Sequence, residues 1–300
     1  MNILLTGGAG FIGANIARAL QDSHDITIID NLSSGTQECL DGFQGGILDV
    51  DVSQPFTLSQ KFGAIIHEAS ITDTTFKPDD EMIRQNVDGF KNILALAEKN
   101  NAILVYASSA GVYGNGPAPM KESQPLQPLN AYARSKAMID KIAAEHTKNI
   151  AIVGLRYFNV FGQGEHHKGK SASMIYQLRA QILAGKAPRL FKFGEQVRDH
   201  IYVKDVVAAT IKALEAKKSG VFNVGTGKGS SFNEVLAAVQ EIMGTDKQVE
   251  YFDNPITEVY QVNTLADTSL IARGLGWKPT YSLKEGIEDY FQWLDKEGIP

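Results

Sequence analysis

Short, uninterrupted apolar runs alternate with longer amphipathic stretches through the first half of the chain. The runs are largely aliphatic and lie at residues 3–5, 26–29, 64–66, 103–105 and 150–153. Such runs are typical of parallel strands that are buried on both faces. After the first run, Ile12, Ile16 and Leu20 lie four residues apart and share one stripe of a helix. Alternating strands and helices predict an α/β fold, a doubly wound parallel sheet with helices on both faces.

The alternation loses its regularity near Gly162. A polar segment at 163–171 leads into a helical pattern over 174–184, and residues 222–225 have the composition of a late strand that returns to the sheet. We therefore predict a second, smaller and less regular α/β domain that is interleaved with the last strands. The predicted boundaries are 1–162, with strands returning at about 199–226, for the first domain, and 163–198 with 227–300 for the second.

Composition and charge narrow the class of protein. Of the 300 residues, 43% are hydrophobic and 21% are charged, as in a soluble globular enzyme rather than a disordered or fibrous chain. The formal net charge of −5 provides no basic surplus for a phosphate backbone, so we expect no nucleic-acid partner. The single cysteine, Cys39, excludes an internal disulfide and a cysteine-rich metal site.

No segment has the pattern of a membrane span or of a targeting sequence. The apolar runs fall short of the roughly 18 residues that cross a bilayer. The first predicted strand begins close to Met1 and leaves no room for a signal peptide. We therefore expect a cytoplasmic protein without a membrane partner.

Three regularly spaced glycines, Gly7, Gly10 and Gly13, join the first predicted strand to the first predicted helix. A tight turn needs a residue without Cβ constraints, and a pyrophosphate approaches only where no side chain intervenes. The N-terminus of the helix then offers free N–H groups and a partial positive charge to the phosphates. The pattern predicts a Rossmann-type dinucleotide site, and a tight turn without a ligand is the alternative.

Asp30 closes the second predicted strand. A carboxylate at this point accepts hydrogen bonds from the adenosine ribose and repels a 2′-phosphate. Because no Lys or Arg lies between Asp30 and Lys61, the local chemistry favours NAD over NADP. The alternative is that Asp30 only caps a turn. Asp51 and Val52 follow the third predicted strand, where they are placed to meet the edge of the adenine.

Tyr132 and Lys136 lie four residues apart and therefore share one face of a predicted helix. A phenol with a pKa near 10 is a poor base at neutral pH. An adjacent ammonium and the positive nicotinamide ring favour the phenolate and lower that pKa, and Lys136 can also hold the nicotinamide ribose. Ser108 and Ser109 follow a predicted strand and can hydrogen-bond a reacting hydroxyl. Without the glycine motif, the Tyr–Lys pair would indicate only an ordinary exposed helix face.

Taken together, these motifs resemble the extended short-chain dehydrogenase/reductase family, which acts mainly on nucleotide-diphosphate sugars. TGGAGFIG, HEAS, Asn86, ASSAGVYG, YARSK and RYFNVFG match in order over nearly the whole chain. The resemblance implies that Ser109 joins Tyr132 and Lys136 in a catalytic triad and that Asn159 contacts the sugar nucleotide. The further cofactor contacts that it implies are Phe11, Ile12, Asn31, Glu68, Ala69, Ser70, Asn86 and Val160.

The residues after Ser109 narrow the implied chemistry. Ala110 and Gly111 stand where dehydratases and decarboxylases of the family carry acidic residues, and neither can perform acid–base work. Epimerases that also act at C3 and C5 need a Cys/His pair, whereas Cys39 lies near the second predicted strand. The resemblance therefore implies oxidation and re-reduction at one carbon, the reaction of a nucleotide-sugar epimerase.

Within this family, residues 156–173 are similar to the ADP-L-glycero-D-manno-heptose 6-epimerases, which carry a closely similar His-Lys-Gly run after the Asn. That similarity implies that Lys168 is a second acid/base opposite Tyr132, because the ketone must turn before hydride returns to its other face. The alternative is a solvated cationic loop that helps to neutralise a diphosphate. The two histidines at 166–167 have no third ligand nearby, so we expect no metal site.

The same similarity implies a set of substrate contacts: Lys170, Gln177, Phe191, Arg198 and Tyr260. Arg198 has the chemistry of a bidentate diphosphate clamp, and a surface salt bridge to Asp199 is the alternative. Two departures concern the substrate region, because Lys170 replaces the usual Ser and Gln177 the usual His. A changed sugar is therefore one reading of these positions.

Ser33 and Gln37 stand where lysines are typical near the adenosine ribose, which again favours NAD, while the resemblance alone allows NADP. The leading prediction is a homo-oligomeric epimerase that inverts C6 of ADP-D-glycero-D-manno-heptose through transient oxidation by a bound nicotinamide cofactor. The alternatives are a UDP-hexose (UDP-glucose/galactose) 4-epimerase and, from another class, a non-catalytic NAD-binding regulator.

Overall fold

A seven-stranded parallel sheet forms the centre of the computed structural model, which describes residues 1–73, 76–254, 261 and 263–300. The strands are β1 (Asn2–Thr6), β2 (Asp25–Asp30), β3 (Gly46–Asp49), β4 (Ala64–His67), β5 (Ile103–Ser109), β6 (Ile152–Tyr157), β7 (Asn159–Phe161), β8 (Arg189–Phe191), β9 (Val197–Arg198), β10 (His200–Tyr202), β11 (Gly220–Val224), β12 (Ser230–Ser231) and β13 (Glu250–Phe252). The α-helices are α1 (Phe11–Leu20), α2 (Asp79–Asn100), α3 (Ala131–His146), α4 (Met174–Leu183), α5 (Val203–Ala213), α6 (Phe232–Met243), α7 (Ser269–Gly274) and α8 (Leu283–Lys296).

The order of strands in the central sheet is β11-β6-β5-β4-β1-β2-β3. The chain winds outward from β1 in both directions, so β1 and β4 flank the point where the winding reverses. Ligands of doubly wound sheets bind beyond the carboxyl ends of the strands at such a point. The predicted doubly wound parallel sheet is confirmed, and the topology places the candidate site at the ends of β1 and β4.

Strand β1 shows why its sequence is an unbroken apolar run. Ile3 and Leu5 face a core that includes α1, whereas Leu4 faces a core that includes α2 and α3. All three side chains are fully buried. A strand covered on both faces has no solvent-facing position that would favour a polar residue.

Strand β6 differs from the prediction at both ends. The apolar run at 150–153 predicts an early, short strand, whereas β6 begins at Ile152 and continues to Tyr157. Every residue of β6 is buried, including Arg156. The strand can continue through Arg156 because Asp140 of α3 forms an ion pair with its guanidinium inside the core.

The second half of the chain contributes short strand pairs and helices. β7 pairs with β10, β8 with β13 and β9 with β12, while β11 joins the edge of the central sheet beside β6. The predicted division into two domains stays a prediction. No helix in the described part of the chain is long and apolar enough to cross a membrane.

Candidate active site

The glycine turn joins β1 to α1 at the point where the winding reverses. Gly7 has φ +67°, and a Cβ there would lie 2.5 Å from the backbone nitrogen of Ala69. A Cβ on Gly13 would lie 2.2 Å from the carbonyl oxygen of Gly7. A Cβ on Gly10 would meet, among the described residues, only that same oxygen at 3.3 Å. Packing therefore requires Gly7 and Gly13, whereas Gly10 leaves an open cradle at the helix N-terminus that fits a pyrophosphate.

The carboxyl end of β4 is held against this turn by polar contacts. The Thr6 hydroxyl accepts a hydrogen bond from the Ala69 N–H (3.2 Å) and lies 2.7 Å from Nδ1 of His67. Burial, aided by Lys136, lowers the pKa of His67 to about 3, so the ring is neutral. Ser70 Oγ is buried without a hydrogen-bond partner among the described residues. It therefore offers the cofactor a polar group that the described protein does not satisfy.

Asp30 lies at the end of β2 with 8% of its surface exposed. Its carboxylate accepts hydrogen bonds from the N–H groups of Ala9 and Leu32, both at 2.9 Å. Asn31 beside it is exposed, and its side-chain oxygen accepts from the Ser33 N–H. The carboxylate thus connects the glycine turn to the edge where an adenosine ribose would lie, and it does more than cap its own turn.

The other predicted cofactor residues line or support the same edge. Asp51 Oδ1 accepts a hydrogen bond from the Ser53 N–H just beyond β3. The buried Asn86 of α2 bonds to the backbone of Ile71 in both directions and to Ser135 Oγ of α3, so it fixes the segment after β4. The remaining implied contacts are half-buried side chains: Phe11, Ile12, Val52, Glu68, Ala69 and Val160.

The three residues of the predicted triad come together at the ends of β5 and α3. Ser109 ends β5 and accepts a hydrogen bond from the Gly111 N–H (3.0 Å), and its hydroxyl lowers the pKa of the Tyr132 phenol. Tyr132 lies in the first turn of α3, and Lys136 Nζ is 5.7 Å from its ring centroid. The ammonium donates to the carbonyl oxygen of Ala107 at 2.8 Å. The β5 backbone therefore holds Lys136 beside the phenol.

Electrostatics at the triad differ from the expectation for an exposed helix face. Burial raises the pKa of Tyr132 to about 12, with Ser109 lowering it and Glu68 raising it further. Burial lowers the pKa of Lys136, 1% exposed, to about 8, against the opposing effects of Glu68 and Asp140. Burial therefore dominates over Ser109 at the phenol, and a bound nicotinamide ring would add a positive charge that favours the phenolate.

Glu68 adds an ionisable group behind the triad. Its Oε1 accepts a hydrogen bond from the Tyr157 hydroxyl (2.8 Å), which lies 3.0 Å from Thr210 Oγ1. Thr210 in turn donates to the carbonyl oxygen of Val206. Burial raises the pKa of Glu68 to about 7, although Tyr157 and Lys136 lower it. The resemblance implied only a cofactor contact for Glu68. Its hydrogen bond with Tyr157 could not be predicted from the neighbouring HEAS residues, because Tyr157 lies far along the chain.

Glu68→Gln is expected to change how stability depends on pH. The folded-state pKa of about 7 exceeds the ordinary value of 4.5, so stability that Glu68 contributes at low pH is lost as pH rises toward 7. The amide keeps an acceptor for Tyr157 but does not ionise. Relative to the natural chain, the variant should gain about 2 kcal/mol of unfolding free energy between pH 5 and pH 8.

Urea unfolding at the two pH values measures this difference, with the exposed Glu145→Gln of α3 as the matched control. The comparison cancels the opposing effect of buried neutral histidines such as His67. Parallel stability curves for the natural chain and the Glu68 variant would contradict the assignment.

The segment after β7 forms a 3₁₀ turn at Glu165–Ser171 that carries Lys168. Lys168 Nζ lies 5.8 Å from the ring centroid of Phe11, at the start of α1. Burial lowers the pKa of Lys168, and Glu165 raises it. Lys170 is exposed. Gln177 donates its side-chain amide to the carbonyl oxygen of Gly169 at 2.7 Å, so this predicted substrate contact supports the turn.

The rings of the two histidines of this turn contact each other at a tilt of 41°, with centroids 3.9 Å apart, and His166 also packs against Trp293. Burial lowers the pKa of His166 to about 4, with His167 also lowering it, so this ring is uncharged at neutral pH. The alternative interpretation of this turn as a solvated cationic loop therefore has one positive charge fewer, that of His166. Within the described ranges, no three His, Cys, Asp or Glu side chains cluster as a metal site requires.

Three of the predicted substrate residues lie on short strands beyond the sheet: Asn159, Phe191 and Arg198. Asn159 is exposed in β7, and its side-chain oxygen accepts from the Thr264 hydroxyl. Phe191 of β8 packs against Phe252 of β13 with ring centroids 4.9 Å apart. Tyr260 lies outside the described residues. The exposed amide of Asn159 is thus open to a ligand beside the end of β6.

Arg198 is buried and does not form the surface salt bridge to Asp199 that was the alternative for it. Its guanidinium donates to the carbonyl oxygens of Val197 and Gln261 and packs on Phe232. The Asp199 carboxylate accepts from the backbone N–H groups of Thr226, Gly227 and Ala266. The contacts of Asp199 thus lie with the turn after β11, so the alternative of a surface salt bridge between Arg198 and Asp199 is wrong.

A buried polar network that the sequence analysis did not single out supports the triad from behind. Arg156 of β6 binds Asp140 of α3 at 2.8 Å, and Tyr106 donates to the same carboxylate. Arg156 also donates to the Tyr113 hydroxyl, which donates to Asn223 of β11. Asp140 lies one turn after Lys136, so the network anchors the catalytic helix to the sheet. The sequence feature that could have indicated this network is Arg156, a charged residue within the pattern of a buried apolar strand.

Comparisons with known proteins agree with this geometry. The model of the NAD dependent epimerase/dehydratase family matches residues 3–225. The ADP-L-glycero-D-manno-heptose-6-epimerase of Brachyspira hyodysenteriae is 36% identical, over 99% of this chain and 98% of that protein.

Two solved structures are also similar over nearly their whole length. The ADP-L-glycero-D-manno-heptose-6-epimerase of Helicobacter pylori has a TM-score of 0.93 and 37% identity, covering 98% of this chain and 96% of that one. The UDP-N-acetylglucosamine 4-epimerase of Methanobrevibacter ruminantium, in complex with UDP-N-acetylmuramic acid, has a TM-score of 0.92 and 30% identity, covering 99% and 98%.

Proposed function

Because the chain belongs to the NAD dependent epimerase/dehydratase family, we propose that it inverts C6 of ADP-D-glycero-D-manno-heptose. It is an NAD-dependent nucleotide-sugar epimerase, so the alternative of a non-catalytic regulator is set aside. The observation that carries the proposal is the arrangement of Ser109, Tyr132 and Lys136, to which the turn at Glu165–Ser171 adds Lys168 near the glycine turn. The names of the heptose-epimerase relatives supply the sugar.

The residues of this chain divide the work of the reaction. Tyr132, as the phenolate, accepts the proton of the C6 hydroxyl, and Ser109 donates a hydrogen bond to the same oxygen. Lys136 holds the phenolate by its charge. A nicotinamide cofactor held at the glycine turn would supply the acceptor for the C6 hydride and the donor for its return. After the ketone has turned, Lys168 supplies the proton to the oxygen as the opposite configuration forms.

A turnover assay with ADP-D-glycero-β-D-manno-heptose and UDP-galactose, followed by proton NMR, tests the substrate. We expect inversion of the heptose alone. Inversion of the hexose alone would establish the UDP-hexose 4-epimerase alternative and overturn the reading of the Lys168 turn, while the triad chemistry would stand. Because Gln177 supports that turn, its departure from the usual His does not by itself require another sugar.

For the cofactor, the edge beyond β2 supports NAD rather than NADP. Asp30 is held by two backbone N–H groups, and Glu38 is the one charged side chain among residues 31–40. The guanidinium of Arg18 in α1 donates a hydrogen bond to the carbonyl oxygen of Cys39, within the same 31–40 segment. Carboxylates at this edge repel a 2′-phosphate. A homo-oligomeric state and a cytoplasmic location stay predictions.

Gly10→Ala is expected to weaken the cofactor with little effect on the fold. The added Cβ meets the protein only at 3.3 Å in the described structure but occupies the cradle of the pyrophosphate. We expect the Kd of NADH to rise at least about 10-fold, with a loss of about 1 kcal/mol or less from the helix cap.

Fluorescence titration of NADH and NADPH measures both this effect and the preference between the two cofactors. Gly46→Ala is the matched control, because a Cβ there meets nothing within 4 Å. An unchanged Kd for NADH in the Gly10 variant would place the pyrophosphate elsewhere, and tighter binding of NADPH would overturn the choice of NAD.

A further inference from the structure

The turn that carries Lys168 is closed by one fully buried carboxylate, Glu165, which is 0% exposed. Its Oε1 accepts hydrogen bonds from the Gly162 N–H (3.1 Å) and the Ser173 hydroxyl (2.8 Å). Its Oε2 accepts from the Ser173 N–H at 2.5 Å. A single carboxylate therefore ties the entry of the turn to its exit, where Ser173 caps α4.

Further contacts fix the position of the closed turn relative to the nucleotide-binding turn. The Asn15 amide of α1 donates both to the Gln163 carbonyl and to the Phe11 carbonyl, each at 2.8 Å. On the other side, Gly169 has φ +52°, and its carbonyl accepts from Gln177 of α4. Because Phe11 follows the glycine turn directly, the position of this loop is set relative to the cofactor cradle.

Among the described residues, the ionisable groups that the charge of Glu165 affects include Lys168 in its own turn and Tyr290 of α8. Its hydrogen-bond donors in the described structure are backbone N–H groups and a hydroxyl, and Lys168 is a cation of the same turn on which its charge acts. A buried carboxylate held in this way is costly to displace, which makes the turn a rigid carrier for Lys168.

We propose that Glu165 is the positioning residue for Lys168, holding it beside the nucleotide-binding turn so that it serves one of the two orientations of the ketone. The inference rests on the proposed two-base epimerase and deepens it. Glu165 acts only through Lys168 and touches neither substrate nor cofactor. Removing it should therefore impair only the half of the reaction that uses Lys168.

A double-mutant cycle of Glu165→Gln and Lys168→Met tests this assignment on whichever nucleotide sugar the natural enzyme inverts. Gln at 165 turns one acceptor into a donor that faces other donors, so the turn loses a closing contact. We expect each single variant to lower kcat for inversion by about 100-fold, and the double variant to be no slower than Lys168→Met. The KM and the initial reduction of bound NAD by the epimer whose proton Tyr132 accepts should stay within about threefold of the natural enzyme.

The matched control is Asp205→Asn, which alters another buried carboxylate that joins distant segments, through Thr280 and Tyr281. It should leave the inversion rate unchanged. Should Glu165→Gln not fold, Ser173→Ala removes one closing hydrogen bond and enters the same cycle with a smaller loss.

Three outcomes would overturn the assignment: losses that add in the double variant, an equal loss in Asp205→Asn, or full activity of Lys168→Met. Failure to invert the heptose is distinguishable from all of these, because it concerns only the substrate.

Discussion

Tyr132→Phe is expected to lower kcat for epimerisation by about 10³-fold, the magnitude of a lost general base. The phenol is the ionisable group whose pKa Ser109 lowers, and Lys136 Nζ lies 5.7 Å from the centroid of its ring. Phenylalanine keeps the ring that Lys136 packs against but has no group that takes the proton. The affinity for NADH should stay within about twofold, since Lys136 and the glycine turn are unchanged.

Steady-state turnover and titration of NADH measure the two quantities on the same preparation. Tyr281→Phe is the matched control, because Tyr281 is a half-buried tyrosine that packs on Tyr202 away from the triad. Undiminished turnover in the Tyr132 variant would exclude the phenol as the base, and a parallel loss of cofactor affinity would indicate a binding role.

Arg156→Met is expected to lower the free energy of unfolding by about 3–5 kcal/mol. Arg156 is 5% exposed and forms a buried ion pair with Asp140. Methionine fills most of the space but leaves the carboxylate with the Tyr106 hydroxyl as its remaining described donor. An unpaired buried charge costs more than the pair contributes, so most of the loss comes from Asp140.

Urea unfolding followed by circular dichroism measures the loss. Adding Asp140→Leu to the variant should recover part of it, because no unpaired charge then remains. Lys284→Met, which breaks an exposed ion pair with Glu241, serves as the control and should leave the unfolding curve unchanged. A loss below about 1 kcal/mol in Arg156→Met would show that Asp140 is satisfied without it.

The parts of the fold that sequence analysis predicts well are those whose pattern is local. β1, β2 and β4 lie on apolar runs, and β5 begins on one, because strands covered on both faces admit few polar residues. β6 is longer than its apolar run, since Arg156 is acceptable in the core only beside Asp140. Asp140 lies in α3, so the sequence of β6 itself does not contain the residue that pairs with Arg156.

The candidate site divides in the same way. The tight turn at Gly7 and the pairing of Tyr132 with Lys136 depend on backbone geometry within a few residues, and both were predicted. The hydrogen bond from Tyr157 to Glu68 joins the end of β6 to the residue after β4. The raised pKa of the Tyr132 phenol likewise depends on burial by distant parts of the chain, whereas the predicted lowering concerns a phenol beside a bound nicotinamide ring and stays a prediction.

The sequence by itself therefore determined the doubly wound sheet and predicted the glycine turn and the Tyr132–Lys136 pair, because the pattern within single strands, turns and helices specifies them. The place of Ser109 in the triad was implied by the family resemblance. Only the tertiary structure decided which charged groups are buried and which groups compensate them. Asp140 forms an ion pair with Arg156, Glu68 accepts a hydrogen bond from Tyr157, and Glu165 accepts hydrogen bonds from the two ends of the Lys168 turn. The physical reason is that the energy of a buried charge depends on neighbours brought from distant parts of the chain.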